Sequence, residues 1–253
     1  MRRGPRTLPE ATVADPAPSR IGRPDRPPGF DPPVDRSALT TPVATPDGGI
    51  VVVKVRRPRP WAVEATAAEA NWLAAAAGPG VVPLVAAGPD RLATGWAGPV
   101  SVASCLDTLA AHPAQVVAVV TGVAVVLGRI GALGLVHGGL RADHVILGGA
   151  HRTGVALCSP GVADRGTAMA QPGPASGPPA DDLAALGALA ARLSAGWRHR
   201  HQEWDRLVTA LQTEPERLDP SRLAGRLAEL RPPRPPGFPI RWPDRIKPLG
   251  RRG

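Results

Sequence analysis

Several residue types are scarce in this 253-residue chain, and each scarcity narrows what it can be. Its two cysteines, Cys105 and Cys158, are far apart and belong to no C-x-x-C pattern. Neither a disulfide framework nor a cysteine metal site is expected, and a reducing cytoplasm fits. The most apolar run, near Val116 to Leu127, is interrupted by Thr121 and followed by Arg129. That leaves it short of the roughly 18–20 residues a membrane span needs, so no transmembrane segment is expected. The first forty residues are polar and lack an apolar h-region, so no secretory signal is expected either. Both phenylalanines, Phe30 and Phe238, lie near the ends of the chain, and there are two lysines against 28 arginines.

Proline is abundant, and 18 of its 32 residues are concentrated before residue 47 and after residue 230. Between these flanks the chain is rich in Ala, Leu and Val at helical spacing, which places the folded part from Thr41 to Leu230. Residues 1–40 then form a disordered Arg/Pro-rich tail and residues 231–253 a basic, Pro-rich one. The formal charge of +9 divides unevenly. Residues 1–40 carry seven Arg against five acids, residues 41–230 sixteen basic against fifteen acidic groups, and residues 231–253 seven basic groups against one acid. A near-neutral folded part argues against a specific nucleic-acid binder. The C-terminal tail suits an acidic surface, although a solvated charge run is the commoner use of such a segment. Arg26-Pro27-Pro28-Gly29-Phe30 recurs as Arg234-Pro235-Pro236-Gly237-Phe238. The repeat is either chance in Arg/Pro-rich sequence or a pair of extended segments with an aromatic anchor that dock on a surface.

Ile50 to Val55 is a β-branched run after the turn Pro46-Asp47-Gly48-Gly49 and reads as the second strand of a hairpin, with Lys54 near its end. Trp61 to Ala77, nearly all Ala, reads as a helix stopped by Gly78-Pro79-Gly80. Val81 to Ala86 and Arg91 to Trp96 read as short strands. Val102 to Ala111 and Ala114 to Leu133 read as helices, the second on its length of about twenty residues against its Val-rich strand propensity. Gly134 to Gly139 reads as a loop, Val145 to Leu147 and Val155 to Leu157 as strands. Asp182 to Leu193, Gln202 to Leu211 and Ser221 to Leu230 read as helices. Sheet first and helices after is an α+β arrangement, a small sheet lobe on a helical one.

The order of motifs across residues 43–230 resembles the protein kinase family. Val51-Val52-Val53-Lys54 resembles its V-A-I-K strand, and Glu69-Ala70-Asn71-Trp72-Leu73 the helix whose Glu pairs with that Lys. His137 to Leu147 lines up with H-R-D-L-K-P-x-N-V-L-L, Ser159-Pro160-Gly161 falls at D-F-G, and Asp182 to Gly187 matches D-V-x-x-L-G. Small-molecule phosphotransferases share an H-G-D-L loop, but the two helix matches favour the protein kinase branch. The resemblance implies a small β-sheet N-lobe with one helix over residues 41–99 and a helical C-lobe over residues 100–230.

It also implies that the catalytic residues are replaced. The base position holds Gly139, and the two metal-ligand positions hold His144 and Ser159, poor ligands for a hard cation. No G-x-G-x-x-G precedes Val51. Asp143 and Asp164 are the carboxylates that would have to stand in. The expectation is a pseudokinase-like regulatory or scaffolding module, with a low-activity ATP-dependent Ser/Thr kinase as the alternative. Lys54, the sole lysine between the tails, is either a contact to nucleotide phosphates oriented by Glu69 or one half of an ion pair that fixes helix to sheet. Val52 and Ile146 are implied to sandwich a base, with the extra methyls of Val52 crowding the slot. His137 is expected to be a buried packing residue, and Asp182 a helix N-cap that accepts backbone hydrogens of the loop. Pro160 removes the aromatic ring of D-F-G, and Thr167 and Ser176 are the hydroxyls available for modification. No cofactor is required on this reading, with weakly held ATP without Mg²⁺ the one candidate, and the partner expected is an unidentified protein.

Overall fold

The turn between Thr45 and Gly49 organises the start of the fold. Gly48 takes φ 83°, a left-handed conformation that a side chain disfavours. The Thr45 amide donates to Gly49 O and the Gly48 amide to Thr45 O, both at 2.9 Å. This turn joins β1 (Ala38–Ala44) to β2 (Ile50–Arg56) as an antiparallel pair, with Thr40 opposite Lys54 and Ala38 opposite Arg56. The computed structural model describes residues 38–148, 154–161, 179–197 and 202–230. β1 therefore begins inside the stretch expected to be tail, before Thr41, because Leu39-Thr40-Thr41 has the strand propensity to pair with β2. Both RPPGF copies, Asp164, Thr167, Ser176 and Lys247 lie outside the described residues.

Helix α1 (Ala62–Ala75) follows, built on Ala and buried along Ala65, Thr66, Glu69, Trp72 and Leu73. Its C-terminal carbonyls are satisfied from another helix: Arg129 donates to Ala76 O at 2.7 Å and to Ala77 O at 3.2 Å. β3 (Leu84–Ala87) and β4 (Arg91–Gly95) complete an antiparallel sheet in the order β1-β2-β4-β3. The strand expected at Val81 starts later, at Leu84. Val81 and Val82 are buried, but they attach to a different strand: the Val82 amide donates to Leu157 O at 3.1 Å, and the Leu157 amide to Gly80 O at 2.8 Å. Pro83, which has no N–H, separates the two pairings.

A second antiparallel sheet takes the order β5-β6-β7, from Val100–Ser101, Val145–Leu147 and Val155–Leu157. The helix expected over Val102 to Ala111 divides into a 3-10 turn, Val102–Cys105, and α2 (Leu106–Ala110). Then come α3 (Pro113–Ala132), α4 (Pro179–Ser194), α5 (Gln202–Thr213) and α6 (Pro220–Glu229). In α3 burial overrides the strand propensity of its valines. Val116, Val120, Val123 and Val126 are fully enclosed, and the helix packs against α4, α6 and β7. Pro113 begins it, and Gly134 at φ 71° ends it, with the Leu135 amide returning to Ile130 O at 3.0 Å. At 20 residues α3 is long and apolar enough to cross a bilayer, which corrects the length expected for this run, but 56% of its most apolar window is buried in the protein, as in a core helix. One continuous core joins Trp72 and Leu73 of α1 to the α3 valines, Leu183 and Leu186 of α4, and Trp204 and Leu207 of α5. The fold is mixed α+β, a small antiparallel sheet followed by a helical body.

Candidate functional site

Side chains two apart on a strand share a face, so Lys54 and Arg56 of β2 point the same way, and that face meets α1. Glu69, 2% exposed, receives both. Arg56 Nη2 lies 2.6 Å from Glu69 Oε2, while Lys54 Nζ lies 3.1 Å from the same oxygen and 3.4 Å from Oε1. Lys54 and Glu69 thus meet as the sequence suggested. Arg56 was missed, although its place two residues after Lys54 on a strand was a legible signal.

The loop after α3 is held by Asp182. Its carboxylate accepts the His137 amide at 2.6 Å and the Gly138 amide at 2.8 Å. The helix-cap half of the expectation is corrected: α4 begins at Pro179, so Asp182 lies within its first turn and is not the N-cap. His137 is wholly buried, its Nε2–H donating to Cys158 O at 3.0 Å. Burial, then the nearby His144, drives its pKa down to about 3, so the ring is neutral. The indole of Trp72 meets it edge-on at 5.7 Å and donates Nε1–H to Val136 O at 2.7 Å, a link between α1 and this loop that sequence patterns do not reveal.

Gly138 and Gly139 pack directly on Gly161. The Gly161 amide donates to His137 O at 2.8 Å. A Cβ on Gly139 would stand 2.7 Å from Gly161 Cα and 3.0 Å from its N, and a Cβ on Gly161 would stand 2.2 Å from Gly138 O. Close approach of two backbones is what requires glycine here. His144 donates Nδ1–H to Gly139 O at 2.6 Å, and burial holds its pKa below the ordinary imidazole value despite Asp143 nearby. Asp143 is clamped by Arg141 through Nε at 3.0 Å and Nη2 at 2.6 Å. Burial raises its carboxyl, but the Arg141 hydrogen bond and the His144 and Arg141 charges outweigh that and hold it below the ordinary range. Ser159 has φ 52°, the one non-glycine with positive φ among the described residues, and its hydroxyl accepts from Lys54 Nζ at 3.4 Å. Burial pushes the Cys158 thiol up to about 12, so it is no nucleophile at neutral pH.

Val52 lies on β2 and Ile146 on β6, each half-buried on a different sheet. Lys54, Glu69, Ser159, His144 and the 137–139 loop therefore form one neighbourhood, joined by Arg56, Trp72 and Asp182. It contains an ion-paired carboxylate, two imidazoles held neutral and a clamped Asp143. Among the described residues no three His, Cys, Asp or Glu side chains are placed to hold a metal ion. No protein-family model matches the chain, and no curated protein matches it.

Proposed function

We propose that the chain is a two-lobed, protein-kinase-like module that does not transfer phosphate. It acts as a pseudokinase-type regulatory or scaffolding module, with a weak, Mg²⁺-independent nucleotide site at Lys54. The observation that carries this reading is the contact of Gly139 with Gly161. A general base must come within hydrogen-bond reach of the hydroxyl it deprotonates, and at the expected base position there is no room even for a Cβ. His144 spends Nδ1 on Gly139 O, and Ser159 turns its hydroxyl to Lys54, so neither expected metal-ligand position offers a carboxylate.

Three further features support the kinase-like assignment. α1 falls between β2 and β3 of a four-stranded antiparallel sheet, Lys54 pairs with Glu69, and Asp182 anchors the 137–138 amides. Each is what the motif resemblance implies. Beside the lobe boundary proposed at residue 99, a Cβ on Gly98 would stand 2.2 Å from Leu147 O, so the chain packs closely on β6 there.

The experiment is phosphoryl transfer from ATP with Mg²⁺, run beside thermal unfolding with ATP in EDTA. The expected result is no transfer in the kinase range of about 1 to 100 s⁻¹. ATP at 100 times its Kd should stabilise by about 2.7 kcal/mol, and Lys54→Ala should remove that. Transfer that Lys54→Ala abolishes would overturn the reading. Silence in both assays would remove the nucleotide site and leave a scaffold.

A further inference from the structure

Glu69 is a single buried carboxylate served by two cations, Arg56 on Oε2 and Lys54 on both Oε2 and Oε1, and the two are not equivalent. The Arg56 side chain is 1% exposed and makes the shorter contact, 2.6 Å against 3.1 Å for Lys54, whose side chain is 11% exposed. Arg56 uses only Nη2. Its Nε and Nη1 are buried without a hydrogen-bond partner among the described residues. Guanidinium is built for two parallel bonds to a carboxylate, so this one is held in an incomplete arrangement by sharing Glu69 with Lys54.

We infer that Arg56 is the standing counter-ion of Glu69 and that Lys54 is an exchangeable one, which shifts from Glu69 to the phosphate groups of an anionic ligand. This rests on the nucleotide site proposed above. A buried carboxylate that loses its only cation is strongly destabilised, and a lysine that was its sole partner would pay that cost on every binding event. Here the cost falls away. When Lys54 leaves, Glu69 keeps Arg56, and the vacated side of the carboxylate can take a second Arg56 N–H to complete the fork. Ser159 Oγ, 3.4 Å from Lys54 Nζ, marks the side toward which the ammonium already reaches. Arg56 is in this sense a positioning residue: it never meets the ligand, and it sets how readily Lys54 can.

The test compares Lys54→Met, Arg56→Met and Arg56→Lys in the full chain. Thermal unfolding without ligand is followed by titration with ATP in EDTA. Lys54→Met should leave the unliganded midpoint near that of wild type, while Arg56→Met should lower it clearly. Arg56→Lys keeps a cation on Glu69 but cannot form the fork. It should hold the midpoint yet weaken ATP by about tenfold or more, which corresponds to at least about 1.4 kcal/mol. A merely structural Arg56 would give an Arg56→Lys variant that binds ATP like wild type, and that result overturns the inference. So does a Lys54→Met midpoint as low as that of Arg56→Met. If wild type itself ignores ATP, the nucleotide site fails first. The assignment of Arg56 as standing counter-ion is then judged by the unliganded midpoints alone, supported or overturned as above.

Discussion

Acidification from pH 7 to pH 5 should cost the protein about 2 kcal/mol through the single side chain of His137. The ring is buried on all sides against Trp72 and the Cys158 carbonyl, with His144 beyond it, and its pKa falls from the ordinary 6.5 to about 3. The folded state keeps the ring neutral, while the unfolded chain binds a proton below pH 6.5. Unfolding therefore takes up a proton, and stability falls as pH falls. The contribution is complete above pH 6.5 and is lost progressively toward pH 3. Over the 1.5 units from 6.5 to 5, at 1.36 kcal/mol per unit, the loss is about 2 kcal/mol. His144, also shifted down by burial, adds loss of the same sign. Asp143, whose carboxyl is held low, loses its contribution only below its unfolded value near 4, outside this window. Urea unfolding at pH 7, 6 and 5 reads the effect directly. With a slope of about 2 kcal/mol/M the midpoint should fall by about 1 M. His137→Gln, which keeps an N–H donor for Cys158 O, should flatten the profile to the His144 share. A wild-type midpoint that stays constant between pH 7 and pH 5, or a Gln variant with the full slope, would refute the reasoning.

Other substitutions probe the packing of the same neighbourhood. Gly139→Asp, the restoration of a base, should destabilise by about 1–3 kcal/mol in denaturant melts, because its Cβ meets the Gly161 backbone at 2.7 Å. It should restore no transfer activity. Asp182→Asn keeps the shape but has one carbonyl oxygen for two amides, His137 N and Gly138 N, and should cost about 1–3 kcal/mol. Trp72→Phe removes the donor to Val136 O and should cost about 1–3 kcal/mol, seen as a lower melting midpoint.

What could be read from the sequence was whatever is local or strongly typed. Pro46-Asp47-Gly48-Gly49 named its turn, the Ala-rich run named α1, and the resemblance of Val51–Lys54 and Glu69–Leu73 to kinase motifs implied the Lys54–Glu69 pair. Length rather than propensity identified α3. What escaped was non-local. The Gly139–Gly161 approach joins residues whose lack of side chain carries no pattern, and the reach of Trp72 to Val136 O spans 64 residues. Arg56 was overlooked among 28 arginines, although its place two residues after Lys54 put it on the same face of the strand. Asp182 was assigned the right acceptor function but the wrong helix position, because Pro179 can open a helix before the first acidic residue.

The attachment of α1 also bears on how the molecule opens. By sequence this helix belongs to the first sheet, yet Arg129 of α3 holds its last carbonyls, and Trp72 bonds the loop that follows α3. Amide hydrogen exchange should follow these bonds in preference to chain order, since such opening occurs in cooperative units defined by contact. The protected amides of α1 should then exchange together with those of α3. The edge strand β1, paired on one side by β2, should exchange earlier and by itself.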